Sequence, residues 1–115
     1  MYNKQFIKNC LKLYYISRLK PNWNENDAES FSIKHILKVF SILNKLNYQP
    51  EVFPTANDSI QLEFYNSKGD YLEYEIFKNG KINKFINYAN DHFESKEILK
   101  SEISNENIYN FLFKK

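Results

Sequence analysis

The chain predicts an α+β fold: two N-terminal helices, an antiparallel β-meander of three or four strands, and one C-terminal helix. Three observations carry that expectation. Two runs, Ser59–Tyr65 and Tyr71–Phe77, alternate apolar and polar residues, the mark of half-buried strands. Ser32 and Ser104 stand as N-caps in front of apolar residues at helical spacing. Pro21, Pro50, Gly69 and Gly80 fall where elements must end or turn.

The elements follow in order. Residues 2–19 read as a first helix, with Phe6, Ile7, Cys10, Leu11, Leu13 and Tyr14 as its apolar stripe. Lys4, Lys8, Lys12 and the asparagines lie mostly off that stripe, and Pro21 stops the helix. A polar connection around Trp23, the only tryptophan, leads to the second helix. Ser32 caps it, Phe31 and Ile36 are placed as a hydrophobic staple, and Ile33, Ile36, Leu37, Phe40 and Leu43 form the predicted core stripe, with Leu46 as a candidate extension of it. Residues 51–53 are a short extended lead and residues 54–58 a loop.

Folding the two alternating runs about Lys68 pairs Ile60 with Ile76, Leu62 with Tyr74 and Phe64 with Leu72 on one face. The other face then pairs Gln61 with Glu75, Glu63 with Glu73 and Tyr65 with Tyr71. A one-residue slip would scramble both faces, so the register is well specified. Asn79-Gly80 is a strong hairpin signal and launches a third strand over residues 81–88. A two-residue turn there would pair Glu75 with Lys84, and a glycine bulge would pair Ile76 with Ile82; the pattern leaves both open. Residues 89–95 read as a polar loop and residues 96–103 as a last edge strand in preference to a helix. Ser104 caps the final helix through Phe113, with Ile103 and Ile108 as a second staple. The helices are expected to cover the face of Ile60, Leu62 and Phe64.

With 115 residues, one domain with a core of its own is the natural reading. A net charge of +2 is too small to imply a nucleic-acid partner, and Arg18 is the only arginine. One cysteine, Cys10, excludes an intramolecular disulfide framework and a cysteine-based zinc site. No apolar run reaches the roughly 18 residues of a membrane span, and the N-terminus lacks a signal-peptide core. A cytoplasmic location fits, with no membrane partner. The abundance of Asn, Lys and Ile beside two glycines suggests an AT-rich bacterial or phage genome.

Pro21-Asn22-Trp23-Asn24, Pro50-Glu51-Val52-Phe53-Pro54-Thr55, the Ile60-Gln61-Leu62-Glu63-Phe64 strand and Glu73-Tyr74-Glu75-Ile76 together resemble a group of small uncharacterised bacterial proteins. That group carries a Trp-Asn-Gly-Tyr-Gly-like motif, a Pro-Thr-x-Asp-Gly-like turn, an Ile-x-Leu-Glu-Trp-like strand and a Glu-x-Glu-Ile-like strand. The resemblance spans roughly residues 20–88. Here the glycines after Trp23 are missing, Ser59 stands where glycine is usual, and Phe64 replaces tryptophan. The resemblance implies the fold and weight on Trp23, Gln61 and Glu63, and it implies no reaction.

The candidate chemistry sits on the polar face of the meander. Opposed carboxylates repel unless a cation or a shared proton relieves them, so Glu63, Glu73 and Glu75 could raise a pKa or hold a divalent metal. The bland alternative is a solvated or salt-bridged sheet face. His35 and His92 have no ligand spacing and read as flank or surface residues. Cys10 reads as core, lacking an activating neighbour. Trp23 reads as a structural anchor of its connection, packed on the meander near Gln61 or Glu63 with its indole N–H on an acceptor such as Glu63 or a backbone carbonyl. No glycine-rich phosphate loop or nucleophile elbow is present, since both glycines are turn residues.

The expectation is therefore a small non-catalytic protein-binding factor, with no cofactor, metal or catalytic set. It would bind through Gln61, Glu63, Tyr65, Tyr71, Glu73 and Glu75 to a protein with a basic surface. Nucleic acid is disfavoured by the same carboxylates, and self-association is left open. The alternative is a metal-dependent or acid/base enzyme using Glu63, Glu73 and Glu75.

Overall fold

Asn3 opens the first helix: its side-chain oxygen accepts from the amides of Gln5 and Phe6. The computed structural model describes residues 3–24, 29–90 and 92–114. Among them the order is α1 (Lys4–Ser17), α2 (Ile33–Leu43), β1 (Glu51–Pro54), β2 (Ser59–Tyr65), β3 (Tyr71–Phe77), β4 (Ile82–Asn87), β5 (Phe93–Ile98), a 3-10 turn at Lys100–Glu102, and α3 (Asn105–Phe113). The strands form one antiparallel sheet in the order β1-β2-β3-β4-β5. The fold class is α+β as expected, but the meander has five strands rather than three or four.

The added strand, β1, and the start of β5 come from segments whose local pattern is weak. Residues 51–53 are more than a lead. Val52 pairs with Leu62 and Pro54 with Ile60, and Pro54 is tolerated because β1 is an edge strand. Phe93 to Ser95, read as loop, belong to β5, whose residues are exposed except for Ile98. An exposed edge strand shows no alternation of apolar and polar residues, because neither of its faces is deeply buried. The strand reading of residues 96–103 holds only as far as Ile98; Lys100–Glu102 turn instead.

The β2–β3 register is the one read from the alternation, from Ser59 opposite Phe77 to Tyr65 opposite Tyr71. At the next turn the glycine-bulge alternative holds. The amide of Gly80 donates to the carbonyl of Phe77 at 2.9 Å, the Phe77 amide takes the carbonyl of Lys81, and Gly80 sits at φ +93. Ile76 therefore faces Ile82, and Lys84 faces Tyr74 on the helix side of the sheet.

The helices pack on the face of Ile60, Leu62 and Phe64, and one core cluster draws on all three of them and on that face. Two stripes are rotated from expectation. On α1 the buried residues are Asn9, Leu13 and Ile16, while Ile7, Leu11 and Tyr14 are exposed. On α2 they are His35, Ile36, Val39, Ile42 and Leu43, while Ile33 and Leu37 are exposed and Phe40 is 38% exposed. The cause is plain for α2: it is apolar nearly all round, so spacing alone cannot choose its inner face.

Polar groups then decide the orientation. Asn9 donates to the carbonyl of Pro50 at 2.9 Å and to the Gln49 side chain, which in turn donates to the carbonyls of Leu43 and Leu46. This buried network ties α1 to the C-terminal end of α2 and the start of β1.

Candidate functional site

With all three helices on one side of the sheet, the other side carries Glu51 and Phe53 of β1 and Gln61, Glu63 and Tyr65 of β2. Tyr71, Glu73 and Glu75 of β3 follow, then Asn83 and Phe85 of β4, and Phe93 and Glu97 of β5. All six residues singled out from the sequence, Gln61, Glu63, Tyr65, Tyr71, Glu73 and Glu75, share this face. Period-two side-chain alternation places them there.

Two cross-strand features organise the face. One is a row of like charges: Glu51 faces Glu63, and Glu63 faces Glu73. Opposed carboxylates of this kind destabilise a sheet. Lys84, which a two-residue turn would have set on this face, is on the opposite one. The Tyr71 hydroxyl stands in for a cation, donating to Glu73 Oε1 at 2.7 Å. Partial burial pushes the Glu63 carboxyl above its ordinary range, a hydrogen bond from Tyr71 pulls it back, and the charges of Glu73 and Glu51 add to the rise. Tyr71 itself is held protonated, first by burial and then by the neighbouring carboxylates.

The other feature is a ladder of rings. Tyr65 and Tyr71 lie 5.0 Å apart, Tyr71 and Phe85 6.2 Å, and Phe85 and Phe93 6.1 Å, so the rings cross four strands from β2 to β5. Phe85 and Phe93 escaped the sequence reading. The signal for Phe85 was the bulged turn, which sets it opposite Glu73; Phe93 lay in the segment taken for loop.

Ser59, at the start of β2, is fully buried and was not anticipated. Its hydroxyl donates to Glu75 Oε2 and meets Thr55 Oγ1, so Glu75 is fastened to the β1–β2 turn. At the β1 edge a cleft of about 400 Å³ reaches Glu51 and Glu63 between Gln5, Tyr48, Gln49 and Leu112.

The other candidates lie elsewhere. Trp23 is half-buried on the helix side, its ring 6.0 Å from that of Phe31 and its indole N–H on the carbonyl of Glu29. Among the described residues its ring packs on Phe31 ahead of α2 rather than beside Gln61 or Glu63, and its acceptor is a backbone carbonyl. His35 is not a flank residue; it is 3% exposed, with Nε2 2.8 Å from the carbonyl of Ile76. A carbonyl only accepts, so Nε2 carries the proton. His92 is exposed in the β4–β5 turn and stacks on Tyr88. Cys10 is half-buried and burial pushes its thiol up, away from reactivity. Among the described residues no group of three or more His, Cys, Asp or Glu is placed to hold a metal ion, and no helix is long and apolar enough to cross a membrane.

No family model, curated protein or solved structure matches the chain.

Proposed function

We propose that this chain is a small cytoplasmic protein-binding factor of a bacterium or phage. It acts as an inhibitor, an antitoxin-like protein or an accessory subunit, and it docks a basic protein surface on the open face of its sheet. The observation that carries the reading is the pairing of the four-ring ladder with the Glu51, Glu63, Glu73 row on one helix-free face. Rings supply contact area at low entropic cost, and a carboxylate row with no cation paired to it across the strands supplies charge complementarity and steering. Like charges kept directly opposite one another cost the fold stability, which is a local rule broken on a surface that folding does not need. The resemblance over residues 20–88 belongs to the same proposal and adds no activity.

The alternative enzyme using Glu63, Glu73 and Glu75 has less behind it. Glu75 is committed to Ser59, and the three carboxylates form no metal-holding group. Affinity capture from the source organism with the wild-type chain and the Glu63→Lys/Glu73→Lys variant in parallel tests the proposal. The variant should keep its melting midpoint and lose the captured protein. Equal capture by both chains refutes the sheet face as the docking surface.

A further inference from the structure

Opposite the acidic sheet face, the two long helices present a surface of different chemistry. Ile7, Leu11 and Tyr14 on α1 and Ile33, Leu37 and Phe40 on α2 are exposed at the same i, i+4, i+7 spacing, Leu11 at 65% and Leu37 at 59%. Phe6, in the first turn of α1, meets Phe40, in the last turn of α2, with ring centres 6.1 Å apart. The start of α1 therefore lies against the end of α2, and the two exposed apolar stripes belong to neighbouring helices.

Lysines border that stripe on both sides. On the far side of α1, Lys8 and Lys12 lie beside Glu51 and Val52 of β1, and Lys12 Nζ stands 5.1 Å from the Phe53 ring centre. Beyond α2, Lys38 Nζ donates to the carbonyl of Gly80 and Lys100 Nζ to the hydroxyl of Ser41. Lys4 and Lys34 add to the two rims, and neither helix carries an acidic residue.

We infer that the α1–α2 surface seats the protein on an anionic lipid surface, lying in the interface rather than crossing it. An apolar stripe between two basic rims matches the layering of an anionic bilayer surface, where side chains enter the headgroup boundary and lysines meet lipid phosphates. Tyr14 and Tyr15 suit that boundary, where aromatic rings with a polar tip collect. The charge of the whole molecule points the same way, since the opposite face holds Glu51, Glu63, Glu73, Glu75 and Glu97 and would be turned to solvent. A second copy fits less well, because two-fold pairing of this surface sets lysine rim against lysine rim. The expected absence of a membrane partner rested on the lack of a spanning segment, which does not bear on a surface-lying mode.

Co-sedimentation of the full chain with vesicles of equal parts phosphatidylcholine and phosphatidylglycerol, against vesicles of phosphatidylcholine alone, tests this. Wild type should pellet with the anionic vesicles, stay largely free of the neutral ones, and be released by added salt. Each of Lys4→Gln, Lys8→Gln and Lys34→Gln should lower the partition coefficient about fivefold. Leu11→Glu/Leu37→Glu should abolish binding while the circular dichroism and melting midpoint stay near wild type, since both side chains are exposed. Glu63→Lys/Glu73→Lys should bind vesicles at least as well as wild type, which separates this surface from the sheet face. Wild type that stays free of both vesicles overturns the inference. So does equal binding to both, a wild-type dimer that Leu11→Glu/Leu37→Glu renders monomeric, or binding to polyglutamate in preference to vesicles.

Discussion

Lowering the pH should destabilise this protein through His35. The ring is buried, Nε2–H donates to the carbonyl of Ile76, and Nδ1 has no partner among the described residues. Protonation would add an N–H to Nδ1 where no acceptor stands. Burial accordingly lowers the His35 pKa below its ordinary 6.5; the Ile76 carbonyl and Asp58 oppose this and Lys38 and Lys78 reinforce it.

The sign follows from proton counting. Below about 6.5 the unfolded chain takes up a proton that the folded chain refuses, so stability falls with acidification. It goes on falling until the folded pKa is passed. The slope is bounded by one proton's worth, about 1.4 kcal/mol per pH unit. Urea unfolding between pH 8 and 5 measures it, with His35→Gln as reference. Glutamine keeps a donor for the Ile76 carbonyl and does not titrate, so the variant loses stability at pH 8 but should lack the slope. Asp70 and Glu63 titrate in both proteins and cancel in the difference. Parallel profiles for wild type and variant would refute the reasoning.

Two further outcomes are expected from the packing and the charge row. Leu62→Ala, at a fully buried site, should cost about 2–5 kcal/mol, while Phe40→Ala, 38% exposed, should cost less than half as much. Equal shifts in the denaturant midpoints would show that α2 is turned differently. Glu63→Gln should stabilise the protein by roughly 0.2–1 kcal/mol at neutral pH, by removing a charge opposed on both sides. Because the Glu63 pKa is raised in the fold, wild type should recover that loss as the pH falls through the raised value toward 4.5. A constant gap between variant and wild type would show that the row is not coupled.

The β2–β3 hairpin was legible because period-two alternation over two runs admits one register, and with it the company of Gln61, Glu63, Tyr65, Tyr71, Glu73 and Glu75. What escaped was set by partners distant in sequence. Val52 pairs with Leu62 through a strand too short to show a period. Asn9 is buried because the Pro50 carbonyl and the Gln49 side-chain oxygen both need a donor there. His35 is buried because the Ile76 carbonyl needs a donor, and no feature of α2 itself announces that. Phe85 joined the ring ladder only once the Gly80 bulge had fixed the β4 register.

A sequence whose helices are apolar on more of their circumference than the core can bury leaves the excess facing outward, and on α1 and α2 the excess falls on one seam rather than scattering. Scattered apolar residues are ordinary on a protein surface; a contiguous patch is the informative case. The same holds for the carboxylates, which sit opposite one another when β2 and β3 could have alternated charges at no cost to the core. Both departures from what folding requires lie on surfaces, one on each side of the sheet, with opposite charge. On the proposals above, the two faces can be occupied together: the helical seam held at an anionic lipid surface, and the ring ladder with its glutamates turned outward toward a basic protein. Such an arrangement makes recruitment salt-sensitive at both faces. Docking and vesicle binding should then be additive, because the two faces share no residue and the buried core, from Leu62 to Val39, separates them.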